Sequence, residues 1–122
     1  MTTMTRDETP VVVSNEAGVE VRSKPIGGDL AVSYIRLPAG TDMSIPLKGL
    51  PDDQCQCPHW GFLTKGRMKL HTGHGDEIYE AGQAYYWAPG HAPEALEDSE
   101  LMEFSPADDF AEVLDHVKEQ VG

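Results

Sequence analysis

The chain has 122 residues and a formal net charge of −12 at pH 7, from 9 Lys and Arg against 21 Asp and Glu. That length suits one domain able to bury roughly two thirds of its unfolded surface, and that charge repels phosphate backbones and anionic bilayers, so neither nucleic acid nor membrane is an expected partner. No apolar run approaches the ~18 residues of a membrane span, and Met1 to Pro10 lack the basic start and apolar core of a secretory leader, so the expected compartment is the cytoplasm.

Glycine and proline recur at short intervals between segments rich in Val, Ile, Tyr and Leu, the pattern of many short strands. In chain order the expected strands are Val11 to Val13, Val19 to Ser23, Leu30 to Leu37, Cys57 to Thr64, Arg67 to His71, Glu77 to Glu80, Ala84 to Trp87 and Leu101 to Phe104. Gly73-His74-Gly75-Asp76 joins two of them as a hairpin. Ala39 to Asp53, with Pro46 and Pro51 and little periodicity, reads as a long loop of the kind that forms lids and binding loops. Ser105-Pro106-Ala107-Asp108 reads as a helix start, with Ser105 as N-cap, Pro106 at the first helical position and Asp108 three residues after the cap. Phe110, Val113, Leu114, Val117 and Val121 then share one helical face, a packing stripe for the barrel or for a second subunit. The expected fold is all-β, a barrel over about residues 30–104 followed by a helix over about residues 106–120, in a single domain of residues 1–122.

Cys55 and Cys57 are too few for a disulfide framework. Two apart on a strand, with Cα atoms about 6.6 Å apart and parallel side chains, they are poorly placed to bond each other and are expected as free thiols. Cys55, Cys57 and His59 alternate, so a strand here points two soft sulfur donors and an imidazole to one face, a set suited to zinc, iron, copper or nickel rather than calcium or magnesium. His59 and His91 stand on the two strand-and-turn modules that end at Gly66 and at Gly90. Imidazole there is the usual neutral metal ligand and proton carrier. Trp60, Phe62, Tyr85, Tyr86 and Trp87 gather aromatic surface in the same modules, the material of a packed core or of a small-molecule pocket. Glu94, Glu97, Asp98, Glu100 and Glu103 read as a solvated acidic run, and His71, His74 and His116 are assigned no role. No phosphate-cradling glycine loop or nucleophile elbow is present in the sequence.

From about Leu30 to Phe104 the chain resembles the cupins. The resemblance is carried by Ile35-Arg36-Leu37-Pro38-Ala39-Gly40, by the back half of the first cupin motif ending at Gly66 and by the second motif opening at Gly82. It implies a double-stranded β-helix, or jelly-roll, barrel with a homodimeric assembly, and a divalent metal held by two histidines and a glutamate from the first motif and one histidine from the second. Against that pattern His59 stands where the glutamate is expected, and the two preceding histidine positions fall on Asp52 and Gln54, or on Asp53 and Cys55 with spacing one shorter. In the second motif Ala88 replaces a proline, Pro89-Gly90 is kept, and the expected histidine is Pro93, with His91 two residues earlier.

The expected function is an interior small-molecule site with His59, His91, Trp60, Tyr85 and Trp87 as ligand contacts. The alternative is a metal-dependent oxygenase or isomerase with a divergent site, in which His59, His91, Cys57 and Cys55 hold Zn, Fe or Ni and Cys57 is the leading sulfur. Proton competition for such a site is expected below about pH 6.5, the reference value for histidine.

Overall fold

The computed structural model describes residues 1–121, and the side chain of Val121, one member of the helical stripe, lies outside the described residues. Among the described residues nine strands precede one helix: β1 Val11–Ser14, β2 Glu20–Gly27, β3 Leu30–Leu37, β4 His59–Lys65, β5 Arg67–Thr72, β6 Gly75–Glu80, β7 Ala84–Trp87, β8 His91–Ala95, β9 Ser99–Pro106 and α1 Ala107–Val121. They form a six-stranded antiparallel sheet in the order β1-β2-β3-β9-β4-β7 and a three-stranded antiparallel sheet in the order β6-β5-β8. The two sheets enclose the jelly-roll interior. Among the described residues no helix is long and apolar enough to cross a membrane.

The eight strands expected from the sequence are all present, with ends moved by a few residues. The ninth, β8, has Pro93 at its centre and opens directly from the Pro89-Gly90 turn, so neither alternation nor β-branched residues mark it. It pairs with β5 on one side. On the other side the segment between β3 and β4 runs along it, irregular for most of its length, with a 3₁₀ turn at Pro51–Asp53 and bridges at Asp42 to Glu94 and Cys55 to His91. The expected long loop is therefore a loop whose two ends are stitched to β8.

Parity decides which side chains face inward. On β4, His59 and Leu63 are buried and Gly61 shares their face, while Trp60 and Phe62 point out. Tyr85 and Trp87 face inward from β7, and Ser99, Leu101, Glu103 and Ser105 from β9. Gly61 pairs with Tyr85, and a Cβ there would come 2.6 Å from the Tyr85 ring and hydroxyl and from the Met102 carbonyl oxygen. The glycine is required by a neighbour's bulk rather than by its own backbone angles.

Two apolar clusters fill the interior. One joins Val19, Leu37, Leu63, Met68, Leu70, Tyr85, Trp87, Ala95 and Leu101. The other is made where Phe110, Val113, Leu114 and Val117 of α1 pack on Val13, Val21, Leu47, Cys55, Cys57 and Ala92. The helical stripe thus packs on the barrel of its own chain. Its expected cap is not what starts the helix: Ser105 lies within β9, and the first helical amide, that of Ala107, donates to the Asp29 carbonyl at 2.9 Å. In sequence a serine before proline looks the same whether its hydroxyl caps a helix or, as here, reaches across the fold to His59.

Gly61→Ala is expected to lower stability by about 1–3 kcal/mol through overpacking. Urea unfolding measures the loss, and near-ultraviolet circular dichroism should report a displaced Tyr85. Unchanged curves by both measurements would show that the strand accommodates the methyl group.

Candidate metal centre in the barrel interior

His59 opens β4 and His91 opens β8. The Cys55 amide donates to the His91 carbonyl at 2.8 Å, and the amides of Gly90 and His91 donate to the Cys55 carbonyl at 2.8 and 3.2 Å. That bridge sets Cys55 directly beside His91. Gly90 lies in the left-handed region at φ 94°, the conformation glycine adopts without a Cβ penalty, and this turn aims the start of β8 inward. Cys55 Sγ then lies 3.5 Å from His59 Nε2, and the two imidazole rings meet edge to face with centroids 5.0 Å apart. One donor atom from each of Cys55, His59 and His91 falls within 4.8 Å of the others, and all three side chains are buried.

Hydrogen bonds at the far ring nitrogens orient both imidazoles. His91 Nδ1 lies 2.6 Å from the Ala88 carbonyl oxygen, which can only accept, so Nδ1 carries the proton and Nε2 keeps its lone pair. His59 Nδ1 lies 2.6 Å from Ser105 Oγ. With that proton given to the hydroxyl, the Nε2 lone pair faces the Cys55 sulfur. Histidines that ligate metals are held in this way, by a partner on the other nitrogen.

Burial sets the protonation states. Desolvation pushes His59 down to about 3; desolvation first and then the neighbouring His59 push His91 down to about 4. Both rings are neutral across the physiological range. Desolvation drives the Cys55 thiol up to about 12, so it cannot hand its proton to an imidazole held near 3. The cysteine and histidine form a neutral S–H and imidazole pair and not the thiolate and imidazolium of a cysteine nucleophile. A soft transition-metal ion fits this set, because it takes neutral imidazoles as they are and displaces the thiol proton.

Glu103 completes the interior and is the residue that sequence reasoning missed. It was placed in a solvated acidic run, yet it is 2% exposed. Tyr85 Oη donates to its Oε2 at 2.6 Å, and its Oε1 lies 3.4 Å from His59 Nδ1. Desolvation raises its pKa to about 7, against the lowering effect of the Tyr85 hydrogen bond and of His91. At 3.4 Å from a neutral ring this is not an ion pair. The signal that could have found it was parity: Glu103 is two residues from Leu101 on an expected strand and so shares its buried face.

The remaining predicted residues separate. Tyr85 and Trp87 are buried, stacked on each other with centroids 4.0 Å apart, and Trp87 lines the interior cavity. Trp60 does not face that cavity. It is 47% exposed and stacks on Tyr86 across the outer surface of the sheet, because His59 takes the inward position and the next residue must point out. Cys57 is buried but stands outside the three-donor group, its thiol directed to the Pro58 carbonyl at 3.5 Å. Alternation from Cys55 to His59 fails because Pro58 intervenes and β4 begins only at His59. Both cysteines are free thiols.

Two histidines given no role have structural partners. His71 sits between Asp76 and Glu94, at 2.9 and 2.8 Å, and its pKa is raised by the Glu94 hydrogen bond first, opposed by desolvation and helped by Asp76. Its contribution to stability is present below the unfolded histidine value and is lost as pH rises through the raised folded value. His116 Nε2 donates to the Lys48 carbonyl at 2.7 Å, latching α1 to the loop between β3 and β4.

Among the described residues, nine antiparallel strands in two sheets, with inward histidines at the starts of two of them, define a small jelly roll. It is the cupin fold, and solved structures agree. A mutant of Bacillus subtilis oxalate decarboxylase superposes with a TM-score of 0.65 at 18% identity over 87% of this chain and 29% of its own. KdgF from a Halomonas species gives 0.62 at 21% identity over 87% of this chain and 94% of its own. An RmlC-like cupin from Shewanella frigidimarina gives 0.61 at 14% identity over 88% and 93%. The chain spans under a third of the decarboxylase's length. No protein-family model and no curated protein matches the chain.

Glu103→Gln tests the cost of the buried acid. A carboxyl raised from 4.5 to about 7 on folding holds a proton that the unfolded chain releases, so it destabilises the fold increasingly from pH 4.5 to about 7. The neutral amide is expected to raise the melting temperature at pH 8, by the equivalent of up to about 3 kcal/mol, and to have a much smaller effect at pH 5. An equal effect at the two pH values would mean that the carboxyl is solvated.

Proposed function

We propose that the barrel binds a soft divalent transition metal, zinc, iron or nickel, through Cys55 Sγ and the Nε2 atoms of His59 and His91, and that the metal and the apolar wall around it hold a small molecule. The observation that carries this reading is the convergence of three buried donors within 4.8 Å, with the far nitrogen of each imidazole already engaged. Another structure of the Bacillus subtilis decarboxylase is described with Mn(II) centres. Two imidazoles and a sulfur favour softer ions than manganese, which prefers oxygen donors.

A second reading, a metal-dependent oxygenase or isomerase, is favoured by Glu103. Bound metal would supply Lewis acidity to a coordinated small molecule. Glu103 lines the same cavity, and a carboxyl with a pKa of about 7 is suited to take or give a proton near neutral pH. Tyr85 orients it through Oε2 and leaves Oε1 as the atom that exchanges the proton.

Adding zinc to chelator-stripped protein at a hundredfold excess over its dissociation constant should stabilise the fold by about 2.7 kcal/mol, read as a rise in melting temperature. Cys55→Ala, His59→Ala and His91→Ala should each abolish the rise, while Cys57→Ala and His74→Ala keep it. Equal loss in Cys57→Ala would transfer the sulfur role to that residue, and no rise in the wild type with zinc, iron or nickel would end the metal reading.

The pH dependence follows from the thiol. With both imidazoles already neutral, the ligand proton displaced on binding is that of Cys55, and Glu103, raised to about 7 beside the site, releases a second below that value, so affinity should rise about tenfold per pH unit from pH 7 to pH 8 and more steeply below. Isothermal titration across that range measures the slope. A flat profile above about 7 would show that the thiol does not ligate.

A further inference from the structure

The chamber beside the three donors has a volume of about 70 Å³. An apolar protein cavity of roughly 150 Å³ is enough for benzene, so this one admits a ligand of only a few heavy atoms. Phe110, Val113, Leu114 and Val117 of α1 form part of its wall, with strand residues such as Val21, Leu37, Trp87 and Leu101, and the Phe110 ring meets the His59 ring edge to face at 5.3 Å. The charge of the chamber points the same way. Among the described residues no lysine or arginine lines it, and the lining includes the Glu103 carboxyl. No cationic side chain is therefore at hand to pair with an anion, and moving an unpaired anion into such surroundings is costly.

We infer that the interior ligand is a neutral molecule of a few heavy atoms, and that Phe110 is the residue that excludes anything larger. The size limit rests on the wall alone. The charge preference rests on the residues that line the chamber. Dicarboxylates and sugar-sized acids are outside the range of this chamber.

The experiment uses the full chain with methyl-labelled Val, Leu and Met, with and without zinc, and probes of matched size. Formamide and formate have the same number of heavy atoms and differ in charge; benzene tests volume. Formamide should shift the methyl signals of Met43, Val113, Leu114 and Val117, and formate should need at least about tenfold more ligand for the same shift. Benzene should leave those signals unmoved in the wild type and shift them in Phe110→Ala, with Val117→Ala as the second variant if the first does not fold. Formate binding as tightly as formamide overturns the charge preference, and benzene entering the wild type as readily as the variants overturns the size limit. Zinc binding with formamide idle would sink this inference alone, whereas the arms without zinc decide the size limit even if zinc does not bind.

Discussion

The hydrogen bond between His59 Nδ1 and Ser105 Oγ, 2.6 Å long and removed from water, joins the strand that carries the imidazole to the strand that leads into the helix. Either group buried alone would cost about 1–3 kcal/mol, so the pair holds the ring in one orientation and presents its other nitrogen to Cys55. Ser105 stands two residues before α1. The same bond therefore fixes where the helix leaves the sheet and brings Phe110 against the ring it helps to hold. On the opposite strand the Ala88 carbonyl does for His91 what Ser105 does for His59, with a backbone acceptor that no side-chain substitution removes.

Four ionisable groups line a chamber otherwise walled by Val, Leu, Ile, Met, Pro and aromatic carbon. Desolvation acts on each in the direction that removes its charge: imidazoles down, thiol and carboxyl up. Without a ligand the arrangement is thus close to neutral as a whole, and it avoids the much larger cost of a buried unpaired ion. A metal ion reverses that logic, since its charge stabilises the thiolate and carboxylate that the apolar surroundings disfavour. Cupin folds host many chemistries, and here the donors rather than the barrel distinguish this chain.

The barrel was largely legible because its strands are bounded by Gly and Pro and filled with β-branched and aromatic residues, signals that act over a few positions. The centre was legible only in part. His59 and His91 could be named from their places in the two modules, but the choice between Cys55 and Cys57 depended on whether alternation survives Pro58, and the bridge from Cys55 to His91 spans 36 residues that no local pattern connects. Ser105 was read as a cap because its partner is 46 positions away. Glu103 was hidden by acidic neighbours that are exposed, although its parity with Leu101 was there to be used. Trp60 was assigned by residue type, and one step of pleat placed it on the opposite surface.

Part of the chamber's wall, Phe110, Val113, Leu114 and Val117, belongs to the terminal helix and not to the strands. An inward residue of a strand is bound by two conditions, packing against the interior and the ladder of its neighbours, whereas an inward residue of α1 answers to packing alone. The helix's share of the chamber's shape is consequently separable from the barrel architecture. A helix of the same length with a different stripe would act as an interchangeable partition, giving one scaffold a series of differently proportioned compartments while every strand keeps its register.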